Sequence, residues 1–188
     1  MSLAIRPVRF DDRAAITDIH VRQSQRTYAH FLPATYLLEV VPVEKQALWQ
    51  DRIVETGAAP NVLIRVAESE EGLVAGFACF VLKPEDPWGV YLHNLYVDTP
   101  FAGQGLGRKL FRAGLVDLPE DARDRPVHLT AFAENRKACA LYDRLGGVIG
   151  ERWMTERADC PPIETLRYCW PDRQTALAGL AGVLHAQA

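Results

Sequence analysis

The chain has 188 residues, of which 48% are hydrophobic and 24% charged, with a net charge of -3. That length suits one domain with its own core, and the composition is that of a globular protein rather than a disordered or fibrous one. The slight acidity gives no indication of non-specific nucleic-acid binding, and no apolar run has the length of a membrane span or the flanks of a signal peptide.

The four cysteines, Cys79, Cys139, Cys160 and Cys169, form no C-x-x-C pair and have no companion histidine cluster. Neither a metal centre nor a disulfide framework is expected, and a reducing, cytoplasmic setting fits best. Cys79 and Cys139 lie in apolar stretches and read as buried thiols.

Residues 3–10 read as a first strand with a basic edge. Asp11 and Asp12 are candidates to cap the helix that follows. In it Ile16, Ile19 and His20 recur at helical spacing. Phe31-Leu32-Pro33 breaks it, and Pro33 can open a short helix to Leu38. Residues 43–55 predict a further helix, which residues 57–61 end. The pattern then turns to strands. Residues 62–68 and 73–82 are β-rich runs joined by Ser69-Glu70-Glu71-Gly72, a hairpin signal.

Pro84 and Pro87 mark a loop before a third run, residues 90–97. A helix begins near Gln104, with Leu106, Leu110, Phe111, Leu115 and Leu118 as its apolar stripe. Residues 127–133 form a strand and 135–145 a helix, which Gly146-Gly147 terminates. Residues 148–153 and 165–170 are the last strands, with Cys160-Pro161-Pro162 in the loop between them. Each of the two later helices implies a parallel strand pair, because a short turn cannot make such a connection. The order predicts an α/β domain over residues 1–170, with a mixed, partly parallel central sheet flanked by helices. Residues 171–188 are an Ala/Leu-rich tail, read as a surface helix, a homodimer contact or a frayed end.

The most informative segment is Leu95-Tyr96-Val97-Asp98-Thr99-Pro100-Phe101-Ala102-Gly103-Gln104-Gly105-Leu106-Gly107-Arg108. A strand enters a glycine-rich turn that opens an amphipathic helix. Glycine lets backbone approach a ligand closely. The first N–H groups of a helix lack internal partners and carry the positive end of its dipole, which suits a pyrophosphate. Arg108 can add charge-assisted contacts. The spacing of Gly103, Gly105 and Gly107 is not that of a dinucleotide fold, and no Walker lysine is present. A helix start that binds nothing is the competing reading. The second informative segment, Asn135-Arg136-Lys137-Ala138-Cys139-Ala140-Leu141-Tyr142-Asp143-Arg144-Leu145-Gly146, places Ala138, Leu141, Tyr142 and Leu145 on one helix face. Core packing of Tyr142 is its simplest account.

The first segment resembles the acetyl-CoA pyrophosphate loop of the GNAT superfamily of N-acetyltransferases. Gly105 and Gly107 match its glycines, while its Arg or Gln position falls on Ala102. The second resembles the other GNAT signature, with Gly147 where an aromatic is usual. The opening residues Arg26 to Pro33, with Tyr36, Leu37 and Trp49, are similar to the acceptor wall of one bacterial-type subset. The likeness covers roughly residues 5–170.

The resemblance implies an acetyl-CoA-dependent N-acetyltransferase acting on a primary amine of a small molecule or peptide by direct attack. It implies that Leu95, Tyr96 and Val97 hold the pantetheine arm. Gly103, Gln104, Gly105, Leu106, Gly107 and Arg108 would hold the pyrophosphate, with Asn135 and Tyr142 beside the donor. Tyr142 would be the general acid. The relatives' usual glutamate falls on Tyr91, which leaves His93 or a water chain as the base. Glu39, Glu44 and Glu85 are candidates to hold a cationic acceptor. The alternatives are a non-catalytic acyl-CoA-binding regulatory domain and a structural module without cofactor. No metal, nucleic acid or membrane partner is implied.

Overall fold

A computed structural model describes residues 3–157 and 159–185. The chain runs through β1 (Leu3–Pro7), α1 (Asp12–Tyr28), α2 (Val41–Arg52), β2 (Ile53–Val54) and β3 (Gly57–Ala58). Then come β4 (Val62–Ser69), β5 (Val74–Val81), β6 (Val90–Val97), α3 (Leu106–Val116) and β7 (Val127–Phe132). The last elements are α4 (Arg136–Arg144), β8 (Val148–Arg157), β9 (Cys160–Trp170) and α5 (Arg173–His185).

Seven strands make one sheet in the order β1-β4-β5-β6-β7-β9-β8. Only β6 and β7 pair in parallel; every other neighbouring pair is antiparallel. The expected mixed sheet is therefore present, with one correction. The helix between β7 and β8 does not join paired strands, because β9 lies between them. The two strands point the same way only as neighbours of β9.

β5 shows why the sheet sits in the middle. Phe77 and Cys79 pack with Ile16, Ile19 and Trp49 from α1 and α2. The alternate residues Ala78 and Phe80 pack with Leu110, Phe111 and Leu115 from α3. This is the period-two alternation of a strand covered on both faces. α3 lies close because Gly114 has no Cβ; one there would strike the Phe80 ring.

Several boundaries depart from expectation. β1 stops at Pro7, and Asp11 makes no capping bond to α1. Asp12 ties the turn down instead. Its carboxylate accepts from the Arg9 N–H at 2.7 Å and from both terminal nitrogens of Arg6 at 2.7 and 2.8 Å. The segment after Pro33 is a π-helical turn, Tyr36–Val40, that runs into α2 without a break. β8 and β9 form a long hairpin, so Cys160, Pro161 and Pro162 belong to a strand rather than a loop. Proline is tolerated there because β7 pairs only with Thr165 to Trp170, leaving that stretch beyond its end.

Gly147 is also explained. A Cβ there would lie 2.8 Å from Cζ2 of Trp170. The Trp170 indole fills the space and donates its N–H to the Leu145 carbonyl at 2.9 Å. The aromatic contact is supplied from β9. In α5, Ala176 and Leu180 are buried, and Gly179 lies against the Leu145 carbonyl. The helix packs on the domain as far as it is described; residues 186–188 of the predicted tail lie outside the described residues.

Candidate active site

The site begins where β6 and β7 part. Their parallel ladder contains only Val90↔Val127 and Tyr91↔His128. On the other side, β5 pairs Phe80 with Leu92 and Cys79 with Asn94, leaving His93 as the extra residue of a bulge. A bulge bends its strand and raises the local twist, which turns β6 away from β7. The backbone of residues 92–97 then has no strand partner on that side. The opening is a cleft of about 250 Å3 lined by β6, by Leu129 to Ala131 of β7, by Asn135, Ala138 and Tyr142 of α4, and by Gln23, Thr27 and Tyr28 of α1.

Beyond Val97, at the end of β6, the chain runs on into the glycine loop. Gly103 and Gly105 have φ of 81° and 72°, the left-handed region that favours glycine. Gly105 is the N-cap of α3 and offers no side-chain cap, so the first turn depends on other acceptors. A Cβ on Gly107 would only touch Val97 Cγ2 at 3.8 Å. Ala102 contributes no charge, but it borders a hollow of about 620 Å3 that also carries Arg26, His30, Arg136 and Lys137, with Glu134 as its one carboxylate. Arg26 and Gln23 donate to the Thr99 hydroxyl at 2.9 and 3.1 Å, fixing α1 to this loop. A diphosphate suits such a place, at a helix start whose N-cap supplies no side-chain acceptor and beside a hollow lined by cations.

Tyr142 lines the middle of the cleft. Its ring packs on Tyr168 with centroids 5.4 Å apart. Its hydroxyl makes no hydrogen bond among the described residues, and burial pushes its pKa well above the usual phenol value. It is therefore a proton donor at neutral pH, not an anion. Asn135 caps α4, its side-chain oxygen accepting from the Ala138 N–H at 3.3 Å.

A second pocket, of about 180 Å3, is lined by His20, Lys45, Tyr91, His93, Phe132 and Arg157 among others. Tyr28, Tyr96, Asn94 and Thr130 line both spaces. The hydroxyls of Tyr28 and Tyr96 lie 3.3 Å apart. His93 Nδ1 lies 2.9 Å from Arg52 Nη1. The same Nδ1 lies 2.7 Å from Asn94 Oδ1, which can only accept, whereas the guanidinium can only donate, so the two contacts ask opposite roles of Nδ1 and do not fix the tautomer. Burial, aided by the Arg52 charge, lowers the His93 pKa to about 4. The ring is neutral near pH 7, but it is a poor acceptor for an ammonium proton.

The predicted residues Leu95, Tyr96, Val97, Asn135, Tyr142 and His93 thus line one cleft. Glu85 lies in the loop between β5 and β6, while Glu39 and Glu44 line a separate outer hollow. Lys45, Arg52 and Arg157 were not legible as site residues. The available signal was in α2, where Lys45, Trp49 and Arg52 share one face, and Trp49 is wholly buried. Basic residues flanking a buried tryptophan on one stripe face inward. Among the described residues no group of three or more His, Cys, Asp or Glu could hold a metal ion. No helix there is long and apolar enough to cross a membrane.

Comparison with known proteins gives the family. Residues 23–147 match the model of the acetyltransferase (GNAT) family. The chain is 30% identical over 151 residues to the spermine/spermidine N(1)-acetyltransferase of Bacillus subtilis, covering 78% of this chain and 88% of the relative. YncA of Salmonella typhimurium, solved with its cofactor acetyl-CoA, superposes with a TM-score of 0.65 at 19% identity, over 90% of this chain and 94% of that one. The PaiA N-acetyltransferase of Thermoplasma acidophilum, solved with coenzyme A, gives a TM-score of 0.62 at 15% identity, over 88% and 98%. At such identities the two structures speak for the fold alone, and the family assignment rests on the matched residues. The chain belongs to the GNAT family of acetyltransferases, enzymes whose acyl donor is acetyl-CoA.

Proposed function

We propose that the protein transfers the acetyl group of acetyl-CoA to a primary amine of a small molecule or peptide, with no acyl-enzyme intermediate. The observation that carries this reading is the opening between β6 and β7, which is lined by Tyr142 and shares Tyr28, Asn94, Tyr96 and Thr130 with a second pocket, on a strand that runs on toward the glycine-rich start of α3. Unpaired backbone of Leu95, Tyr96 and Val97 would hold the pantetheine arm, much as a neighbouring strand would. The turn from Gly103 to Arg108 would take the pyrophosphate. Asn135 acts on the site by holding the first turn of α4, from which Tyr142 projects.

The amine nitrogen forms a bond to the thioester carbon, and the carbon–sulfur bond breaks. A backbone N–H of the splayed β6 would polarise the carbonyl oxygen. Tyr142 would give its proton to the departing sulfur. The proton lost by the amine goes to water held in the polar pocket. His93 would orient that water rather than take the proton itself. The names of the relatives put spermine and spermidine on the panel of acceptors to try.

Mass spectrometry of protein, acetyl-CoA and an amine panel tests the reading. An N-acetylated amine with no mass gain on the protein is expected. Binding of acetyl-CoA with no product from any amine would favour the regulatory alternative.

A further inference from the structure

The wall of the acceptor pocket is basic. His20, Lys45, His93 and Arg157 line it, and no Asp or Glu does. Arg52 stands behind His93. Its hydrogen-bond partners are all uncharged: Cys79 Sγ at 3.3 Å, His93 Nδ1 at 2.9 Å and Asn94 Oδ1 at 3.0 Å. Lys45 and Arg157 share one carboxylate, Glu44, at 3.5 and 3.9 Å. Glu44 also accepts from the Tyr36 hydroxyl at 3.0 Å. Two cations thus share one carboxylate, and the third, Arg52, has only uncharged hydrogen-bond partners. Arg157 has a buried Nε with no acceptor among the described residues. Its guanidinium is held over the rings of Tyr36 and Phe132, 5.7 and 5.9 Å from their centroids.

Partly buried cations with too few anions are costly, and they persist where something else compensates them. On the acetyltransferase reading above, we infer that the acceptor supplies the missing charge: its amine sits on a molecule that carries an oxyanion, a carboxylate or phosphoryl group, a few bonds from the nitrogen. Arg157 and Lys45 bind that anion and so aim the amine at the thioester. The field of the pocket agrees. Burial first, and then neighbouring charges that include Lys45 and Arg52, hold His20 and His93 in their neutral forms, and burial lowers the Lys45 pKa against the opposing pull of Glu44. A second ammonium close to the reacting nitrogen, as in a polyamine, would add to that repulsion. The carboxylates Glu39, Glu44 and Asp159 do line an outer hollow of about 360 Å3, but Arg157 lines it as well. A cation there would have the guanidinium between it and the reaction centre.

The test pairs acceptors that differ only in the anion. Free amino acids, their amides and aminoalkyl phosphonates are compared with spermidine in a CoA-release assay. In parallel, each is titrated by calorimetry into CoA-loaded protein. Amino acids or phosphonates should exceed the matched amides and spermidine by about tenfold or more in kcat/KM and in affinity. The two anionic arms distinguish carboxylate from phosphoryl. Arg157→Gln and Lys45→Gln should each shrink the acid-to-amide ratio by about tenfold, and Arg157→Lys should restore part of it. Spermidine or the amides equalling the anions would overturn the inference while leaving acetyl transfer intact. An anion preference in binding, with no turnover of any amine, would keep the inference and remove the function proposed above.

Discussion

Replacing Tyr142 with Phe isolates one hydroxyl. The ring stays packed on Tyr168, and the hydroxyl has no protein partner to leave unsatisfied. Folding stability should change by less than about 1 kcal/mol. The interaction we assign to this hydroxyl exists only once the carbon–sulfur bond begins to break. An interaction confined to the transition state lowers kcat and leaves ground-state binding alone. General acids contribute about 10²- to 10⁴-fold. A thiolate is already a tolerable leaving group, so the loss should fall near about 10²- to 10³-fold. Because burial raises the Tyr142 pKa, the group stays protonated through the neutral range, and the loss should be the same at every pH there. Steady-state kinetics beside calorimetric binding of acetyl-CoA read both quantities. Full activity in the Phe variant would make Tyr142 a packing residue. Equal losses in kcat and in acetyl-CoA affinity would place it in ground-state binding.

Gly107→Val should abolish most acetyl-CoA affinity by calorimetry with little loss of stability, since only Val97 Cγ2 lies near its Cβ position. Gly105→Val should lose both, because a β-branched residue at φ of 72° costs about 1–2 kcal/mol. His93→Ala should lower turnover by less than about tenfold and keep the shape of the pH profile near neutrality. Loss of a limb near neutral pH would instead make His93 the base. Gly147→Phe should cost about 1–3 kcal/mol in urea unfolding by striking Trp170, and adding Trp170→Ala should give less than the sum of the two single losses. Stability should fall as pH drops below about 6.5. His20 and His93, with pKa values of about 2 and about 4, stay neutral in the fold while the unfolded chain takes up protons. Each should cost about 2 kcal/mol by about pH 5, and His20→Gln should flatten the curve of urea midpoint against pH.

What the sequence made legible was local. The run from β6 to α3 is written in strand propensity, left-handed glycines and an apolar stripe of period 3.6, all within a short stretch. The helix bearing Tyr142 is marked at both ends, by Asn135 as a cap and by Gly146 in the left-handed region. What escaped was tertiary. Pro161 and Pro162 read as loop breakers, and only the early end of β7 makes room for them in a strand. The insertion of β9 between β7 and β8 has no local signature. Gly147 looked like a lost contact because its aromatic partner, Trp170, comes from another strand. The three basic residues around the pocket beside Tyr91 are Lys45 and Arg52 of α2 and Arg157 of β8, with Arg52 behind His93. No window of sequence contains all three.

The central claim is that the cleft between β6 and β7 presents a thioester to an amine for direct attack. Release of free CoA thiol, followed with acetyl-CoA alone and then with the amine panel, tests it most directly. The account predicts negligible thiol from acetyl-CoA alone. With a suitable amine it predicts continuous release, matched one for one by N-acetylated product and suppressed by Tyr142→Phe. Tight acetyl-CoA binding with no amine-dependent thiol, or a burst of thiol before any amine is added, would contradict it.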